Sequence, residues 1–161
     1  MNIQRNILLN PGPATTTDTV KMAQIVPDIC PRERAFGQLM RELGTDLLKV
    51  VHADAADWAT VLFCGSGTLC IAACVSSLVP AGKKLLIVNN GAYSARAAEI
   101  ARAYSVPHIN LTFPADGLPD LDAVESTLAE NPDIAVVYTT HQETGTGILN
   151  PVREIGALAH A

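Results

Sequence analysis

The sequence predicts an α/β fold: a mainly parallel sheet with helices on both faces, three layers in all. Three observations lead there. Strand-like apolar runs alternate with helix-like stretches from about residue 60 onward, the order of successive βαβ units. The chain is 48% hydrophobic but only 4% aromatic, so Ala, Val, Leu and Ile must build the core. That composition suits strands buried on both faces. Glycine-rich turns stand between the runs, most visibly Gly65-Ser66-Gly67-Thr68.

A chain of 161 residues can bury one substantial core. The formal net charge of −5 comes with no basic block, which argues against nucleic acid as a partner. No apolar stretch reaches the roughly 18 residues of a membrane span. The opening Met1-Asn-Ile-Gln-Arg-Asn-Ile-Leu-Leu-Asn10 has too short an apolar run for a signal peptide, so the cytoplasm is the expected location. Cys30, Cys64, Cys70 and Cys74 do not form a disulfide framework. Three of them sit inside apolar elements, which predicts core packing. Cys70 and Cys74 share a helical face, yet nothing nearby completes a ligand set, and no metal is expected.

Residues 1–16 read as an extended arm, with Asn10-Pro11-Gly12-Pro13 forbidding regular helix. The remainder, 17–161, reads as one large domain. A short helix spans Thr17 to Gln24 under a Thr or Asp cap. Pro27-Asp-Ile-Cys-Pro31 is a loop. From Arg32 to about Val51, Phe36, Leu39, Met40, Leu43 and Leu47 recur at helical spacing. A strand at 60–64 then leads through the glycine turn into a helix at 68–79. Lys84–Asn89 is the next strand, Ala92–Tyr104 a helix, and Pro107–Leu111 a short strand. Asp120 is placed to cap a helix running to Glu130. Ile134–Tyr138 is the last strand, 139–147 a polar loop, and Pro151 stands at the start of a final helix. That helix reaches the C-terminus without a cap or polar tail, the pattern of a truncated chain.

Ligands of such sheets bind beyond the carboxyl ends of the strands. The polar loops expected there are 65–68, 89–93 and 139–147, so three segments converge on one rim. Each has two readings. Gly65–Thr68 is either a tight, Thr-capped turn or a cradle whose backbone N–H groups and the hydroxyls of Ser66 and Thr68 hold a phosphate. It is neither a P-loop nor a complete dinucleotide fingerprint, since Cys70 stands where the third glycine would be. Tyr93 is either a packed rim residue or a platform for a flat ring. In His141-Gln-Glu-Thr-Gly-Thr-Gly147, His141 is a base or a structural hydrogen-bonder. Glu143 can cap a helix or loop, and Thr144 and Thr146 can satisfy backbone groups. His52, His108 and His160 have no such company.

Taken together, Leu9-Asn-Pro-Gly-Pro-Ala-Thr-Thr-Thr17, Val26-Pro-Asp-Ile-Cys-Pro-Arg-Glu33, Gly65-Ser-Gly-Thr68, Ile87-Val-Asn-Asn-Gly-Ala-Tyr93 and His141-Gln-Glu-Thr-Gly-Thr-Gly-Ile-Leu-Asn-Pro151 carry a resemblance. From about residue 8 to the end the chain resembles the class V branch of the fold-type I pyridoxal 5′-phosphate (PLP) aminotransferases, nearest the 2-aminoethylphosphonate–pyruvate transaminases. The resemblance implies a partial large domain of that fold and PLP as cofactor. Ser66, Gly67 and Thr68 would hold its phosphate, Tyr93 would stack on its ring, and Thr144 would lie near the ring and its 3′ oxygen. Pro11 and Gly12 would lie close to the substrate pocket of a homodimer. The implied reaction moves the amino group of 2-aminoethylphosphonate to pyruvate, giving phosphonoacetaldehyde and alanine.

Gly145 and Ala72 depart from the family's usual Thr and Glu, and neither change removes a phosphate contact. A third departure is larger. The lysine that bonds the cofactor, the Asp that pairs with the ring nitrogen, and most of the small domain lie downstream of the His-x-Glu-Thr loop in this family. None of Lys21, Lys49, Lys83 and Lys84 suits that lysine's place. Lys83 and Lys84 open a strand at its amino end, and the other two lie on exposed helix faces. The chain by itself is therefore expected to be inactive and prone to aggregate. Two alternatives stand beside this reading. One is a sister class V enzyme (alanine–glyoxylate or serine–pyruvate aminotransferase, cysteine desulfurase). The other is a non-catalytic phosphate-binding α/β domain.

Overall fold

A computed structural model describes residues 6–161, which fall into two compact units that meet between Cys64 and Gly65 in the sequence. Among the described residues the first unit holds two helices. α1 (Asp18–Met22) is capped by Thr17, whose side chain accepts from the Val20 N–H at 3.4 Å. α2 (Arg34–Val50) buries Leu48, and the Thr60 hydroxyl donates to the Gly44 carbonyl at 2.8 Å. The Gly12–Pro13 peptide bond is cis.

One expectation fails in this unit. Residues 60–64 form no strand; Val61 is 75% and Phe63 51% exposed. An apolar run meets only one requirement of a strand. Its N–H and C=O groups also need a ladder, and no described strand pairs with this segment.

The second unit is the α/β part. α3 (Gly67–Leu78) comes first, then β1 (Lys84–Asn89), α4 (Ala92–Ala103), β2 (His108–Thr112), α5 (Leu121–Glu130), β3 (Ile134–Thr139) and α6 (Val152–His160). The three strands are parallel in the order β2-β1-β3, with Leu86 opposite both Ile109 and Val137. Five of the six residues of the central strand are buried, which is why it reads as an unbroken apolar run.

Alternation along β1 splits the core in two. Leu85 and Ile87 pack with Val75 of α3 and with Ala97, Ala98 and Ala101 of α4. Leu86 and Val88 pack on the other face with Val124 of α5 and Ile155 of α6. Helices therefore cover both faces, as the sequence predicts.

Two further differences concern local chemistry. The loop expected at 139–147 is part of a small antiparallel hairpin that runs on to residue 149, β4 (Gln142–Glu143) with β5 (Ile148–Leu149). Gly147 closes it at φ +78°, a conformation that favours glycine, and its N–H donates to the Glu143 carbonyl at 2.7 Å. The cysteines, expected in the core, are not there. Cys64, Cys70 and Cys74 are exposed and Cys30 is half-buried. α3 and its C-cap residue turn Ile71, Val75 and Val79 toward the sheet at four-residue steps, which leaves Cys70 and Cys74 on the helix flanks. No helix among the described residues is long and apolar enough to cross a membrane.

Candidate active site at the carboxyl end of the sheet

β1 is continued by α4 on one face of the sheet, and β3 leads by way of the hairpin to α6 on the other. The chain thus diverges between the carboxyl ends of two adjacent parallel strands. Such a point is where open α/β sheets place their ligands.

Asparagines hold this crevice in shape. Asn90 and Asn150 exchange side-chain hydrogen bonds at 2.7 and 2.9 Å, and both are buried. Asn90 also donates to the Gly117 carbonyl at 3.0 Å, and Asn150 to the Thr140 carbonyl at 2.7 Å. The loop after β1 is thereby tied to the loop after β3. Asn89 turns its side-chain oxygen to the Gly91 N–H and the Ser94 hydroxyl, at 3.3 and 3.1 Å.

Glu143 is the centre of the arrangement. Only 1% exposed, it reaches from the hairpin to the start of α4. It accepts from the N–H groups of Tyr93 and Ser94 at 3.3 and 3.1 Å, and from the Ser94 hydroxyl at 2.8 Å. Gly91, the N-cap of α4, offers no side chain to do this. The first N–H groups of a helix lack partners in their own helix, so a carboxylate from another loop supplies them and meets the positive end of the dipole. Of the two readings open in the sequence, Glu143 is a helix cap. A Cβ on Gly91 would come within 2.5 Å of its Oε2, so the cap requires glycine there.

Tyr93 is half-buried in the first turn of α4. The Arg96 guanidinium lies over its ring, 4.9 Å from the centroid, and donates to the Thr68 hydroxyl oxygen at 3.2 Å. Thr68 is the second residue of α3; Ser66 is that helix's N-cap and makes no side-chain capping bond. Around the Cβ position of Gly67 there is open space to 4 Å. Thr68, Tyr93 and Glu143 therefore form one connected cluster, and Thr144 follows Glu143 directly, exposed on the hairpin turn. Thr146 receives the Ile148 N–H at 3.4 Å. His141 is exposed and accepts the Asn150 N–H on its backbone carbonyl. Pro11 and Gly12 belong to the first unit, where both are exposed.

Arg96 and the asparagine pair went unnoticed in the sequence. Arg96 stands three residues after Tyr93 on a predicted helix, a spacing that brings side chains together, and that signal was readable. The partnership of Asn90 with Asn150, 60 residues apart, has no local signature.

The lysines lie elsewhere. Lys84 pairs with Asp133 at 2.9 Å at the amino end of the sheet. The Lys84 ammonium, by hydrogen bond and by charge, holds the Asp133 carboxyl below the usual carboxylate range. Lys49 pairs with Asp46, and Lys21 donates to the Thr16 carbonyl.

A profile of the Aminotransferase class-V family matches residues 28–161. The chain is 36% identical over 158 residues to the 2-aminoethylphosphonate–pyruvate transaminase of Lactiplantibacillus plantarum, spanning 98% of this chain and 43% of that protein. It is 39% identical over 150 residues to the same-named protein of Syntrophobacter fumaroxidans, spanning 93% and 40%. The crystal structure of pyridoxamine-pyruvate aminotransferase from Mesorhizobium loti matches with a TM-score of 0.87 at 25% identity, over 98% of this chain and 40% of that one. The chain thus spans less than half the length of these relatives. By the profile match and by the breadth of these likenesses over its own length, the chain belongs to the class-V aminotransferase family.

Proposed function

We propose that the protein carrying this chain is a PLP-dependent aminotransferase that moves the amino group of 2-aminoethylphosphonate to pyruvate, releasing phosphonoacetaldehyde and alanine. The observation that carries this reading is the cluster of Thr68, Arg96, Tyr93 and Glu143 at the sheet's divergence point. It sits in a chain 36–39% identical to transaminases named for that donor and acceptor.

The donor set fits a phosphate monoester. The Gly67 and Thr68 N–H groups have no carbonyl of their own helix to bond, the Ser66 hydroxyl makes no capping bond, and Gly67 leaves room for an anion's oxygens. Each charge-assisted bond of this kind contributes about 1.5–3 kcal/mol. Ser66, Gly67 and Thr68 would hold the phosphate, Tyr93 would carry the ring face, and Thr144 would lie beside the ring. Bound PLP supplies the electron sink that lets a proton leave the carbon bearing the amine. Glu143 keeps Tyr93 fixed by bonding its N–H. The asparagine pair holds the loops of 90 and 150 in register, so the contacts are set before a ligand arrives.

In this reading Pro11 and Gly12 border the substrate pocket of a homodimer in the cytoplasm. No lysine of this chain stands at the site's loops in the second unit, where Lys83 and Lys84 lie at or next to the amino end of β1. The 161-residue chain alone is accordingly expected to show no transamination, and turnover by it would contradict that expectation.

The test is a donor panel with the full-length protein. Alanine formation from pyruvate is followed with 2-aminoethylphosphonate, serine and cysteine as donors, with alanine and glyoxylate as a further pair. A kcat/KM at least tenfold higher for the phosphonate is the expected result. Preference for another donor would assign a sister class V enzyme. No turnover and no visible cofactor band would leave a phosphate-binding domain.

A further inference from the structure

We propose that Arg96 is the positioning residue of this site, fixing the direction of the Thr68 hydroxyl proton and the attitude of the Tyr93 ring together. The proposal rests on the reading of Ser66–Thr68 and Tyr93 as phosphate and ring contacts.

A guanidinium has donors and no acceptor, whereas a threonine hydroxyl has one proton and two lone pairs. Where Arg96 Nη1 meets Thr68 Oγ1 at 3.2 Å, Thr68 can only accept. Its own proton is turned elsewhere, and among the described residues no protein acceptor receives it. The hydroxyl is thus a donor waiting for an acceptor at the first turn of α3. A serine or threonine without such a partner rotates freely and can present either a lone pair or a proton.

Charge points the same way. Arg96 is half-buried and, among the described residues, pairs with no carboxylate. A partly desolvated cation without a counter-ion favours an anion beside it. Arg96 meets its two contacts from one helix turn, stacking on Tyr93 three residues earlier. One side chain therefore links the residue assigned to the phosphate with the residue assigned to the ring. A residue that merely ties α3 to α4 would give the same two contacts, so the test must separate packing from phosphate recognition.

Pyridoxal, which is PLP without its phosphate, makes that separation. The full-length protein, stripped of cofactor, is titrated with PLP and with pyridoxal by visible absorbance, as wild type, Arg96→Met, Arg96→Lys, Thr68→Val and the double variant Thr68→Val/Arg96→Met. We expect Arg96→Met to weaken PLP about 10–100-fold and pyridoxal only about 2–5-fold, the smaller loss being that of the Tyr93 ring attitude and the difference that of phosphate recognition. Arg96→Lys should recover part of the loss. The double variant should be no more than about threefold weaker than the worse single one, because the direction of the Thr68 proton depends on Arg96. Equal losses for both ligands, losses that multiply, or unchanged PLP affinity would each overturn the proposal. If Arg96→Met fails to fold, Arg96→Lys and Thr68→Val carry the same ligand comparison, and equal effects on both ligands overturn it. A wild-type protein that holds PLP no better than pyridoxal would overturn the phosphate reading itself, and the proposal with it.

Discussion

Glu143 and Gly91 show how one pair of residues shapes the site. A buried carboxylate with three donors from the start of α4 cannot be replaced by an apolar group without stranding them. Glu143→Ala should lower stability by about 2 kcal/mol, and Glu143→Gln by less, since an amide oxygen still accepts. Gly91→Ala should cost about 1–3 kcal/mol, because the added methyl meets the Glu143 carboxylate. Urea unfolding midpoints check all three, and unchanged midpoints would remove Glu143 from its capping role. At this scale the sequence was partly legible. Tyr93 and Thr68 stood out by type and place, and Glu143 was open between capping a helix and capping a loop. Asn150 gave no sign, because its partner comes from a distant turn and only the folded sheet brings them together.

Elements were read best where local chemistry and burial agree. β1 lies where its apolar run predicts, and α5 begins after Asp120, whose side chain accepts from the Asp122 N–H at 3.0 Å. Asp120→Ala should destabilise by about 1 kcal/mol, read from thermal or urea unfolding; no change would mean that the cap contributes nothing. The run at 60–64 was misread because apolar composition does not reveal whether a neighbour exists to pair with. The β4–β5 hairpin was missed because its two-residue strands are too short for alternation to show. The Lys84–Asp133 pair adds a pH dependence. With its folded-state pKa depressed, Asp133 contributes stability above the ordinary carboxylate range and loses it as pH falls through the folded value. The pair is exposed, so the effect is small. Wild type and Asp133→Asn should differ slightly at pH 7 and converge as the pH falls below the folded-state pKa of Asp133; a gap that persists in strong acid would contradict the assignment.

For the whole molecule, composition and alternation sufficed to predict a parallel sheet covered on both faces. They did not reveal which apolar residues stay outside. Leu69 and Leu78 of α3 are 39% and 59% exposed, and Leu149 beside the site is 61% exposed. Surface of that kind favours association. The 161-residue chain alone should elute as aggregate at micromolar concentration and bind a hydrophobic dye, while the full-length protein should elute as one discrete species. A monodisperse, dye-silent chain would contradict this. In the proposed reading the rim formed by α3, α4 and the β4–β5 hairpin is the cofactor site. A crystal structure of the full-length protein with PLP tests it most directly. We expect the phosphate on Ser66, Gly67 and Thr68 and the ring against Tyr93. A cofactor bound elsewhere, or touching neither α3 nor Tyr93, would contradict the account.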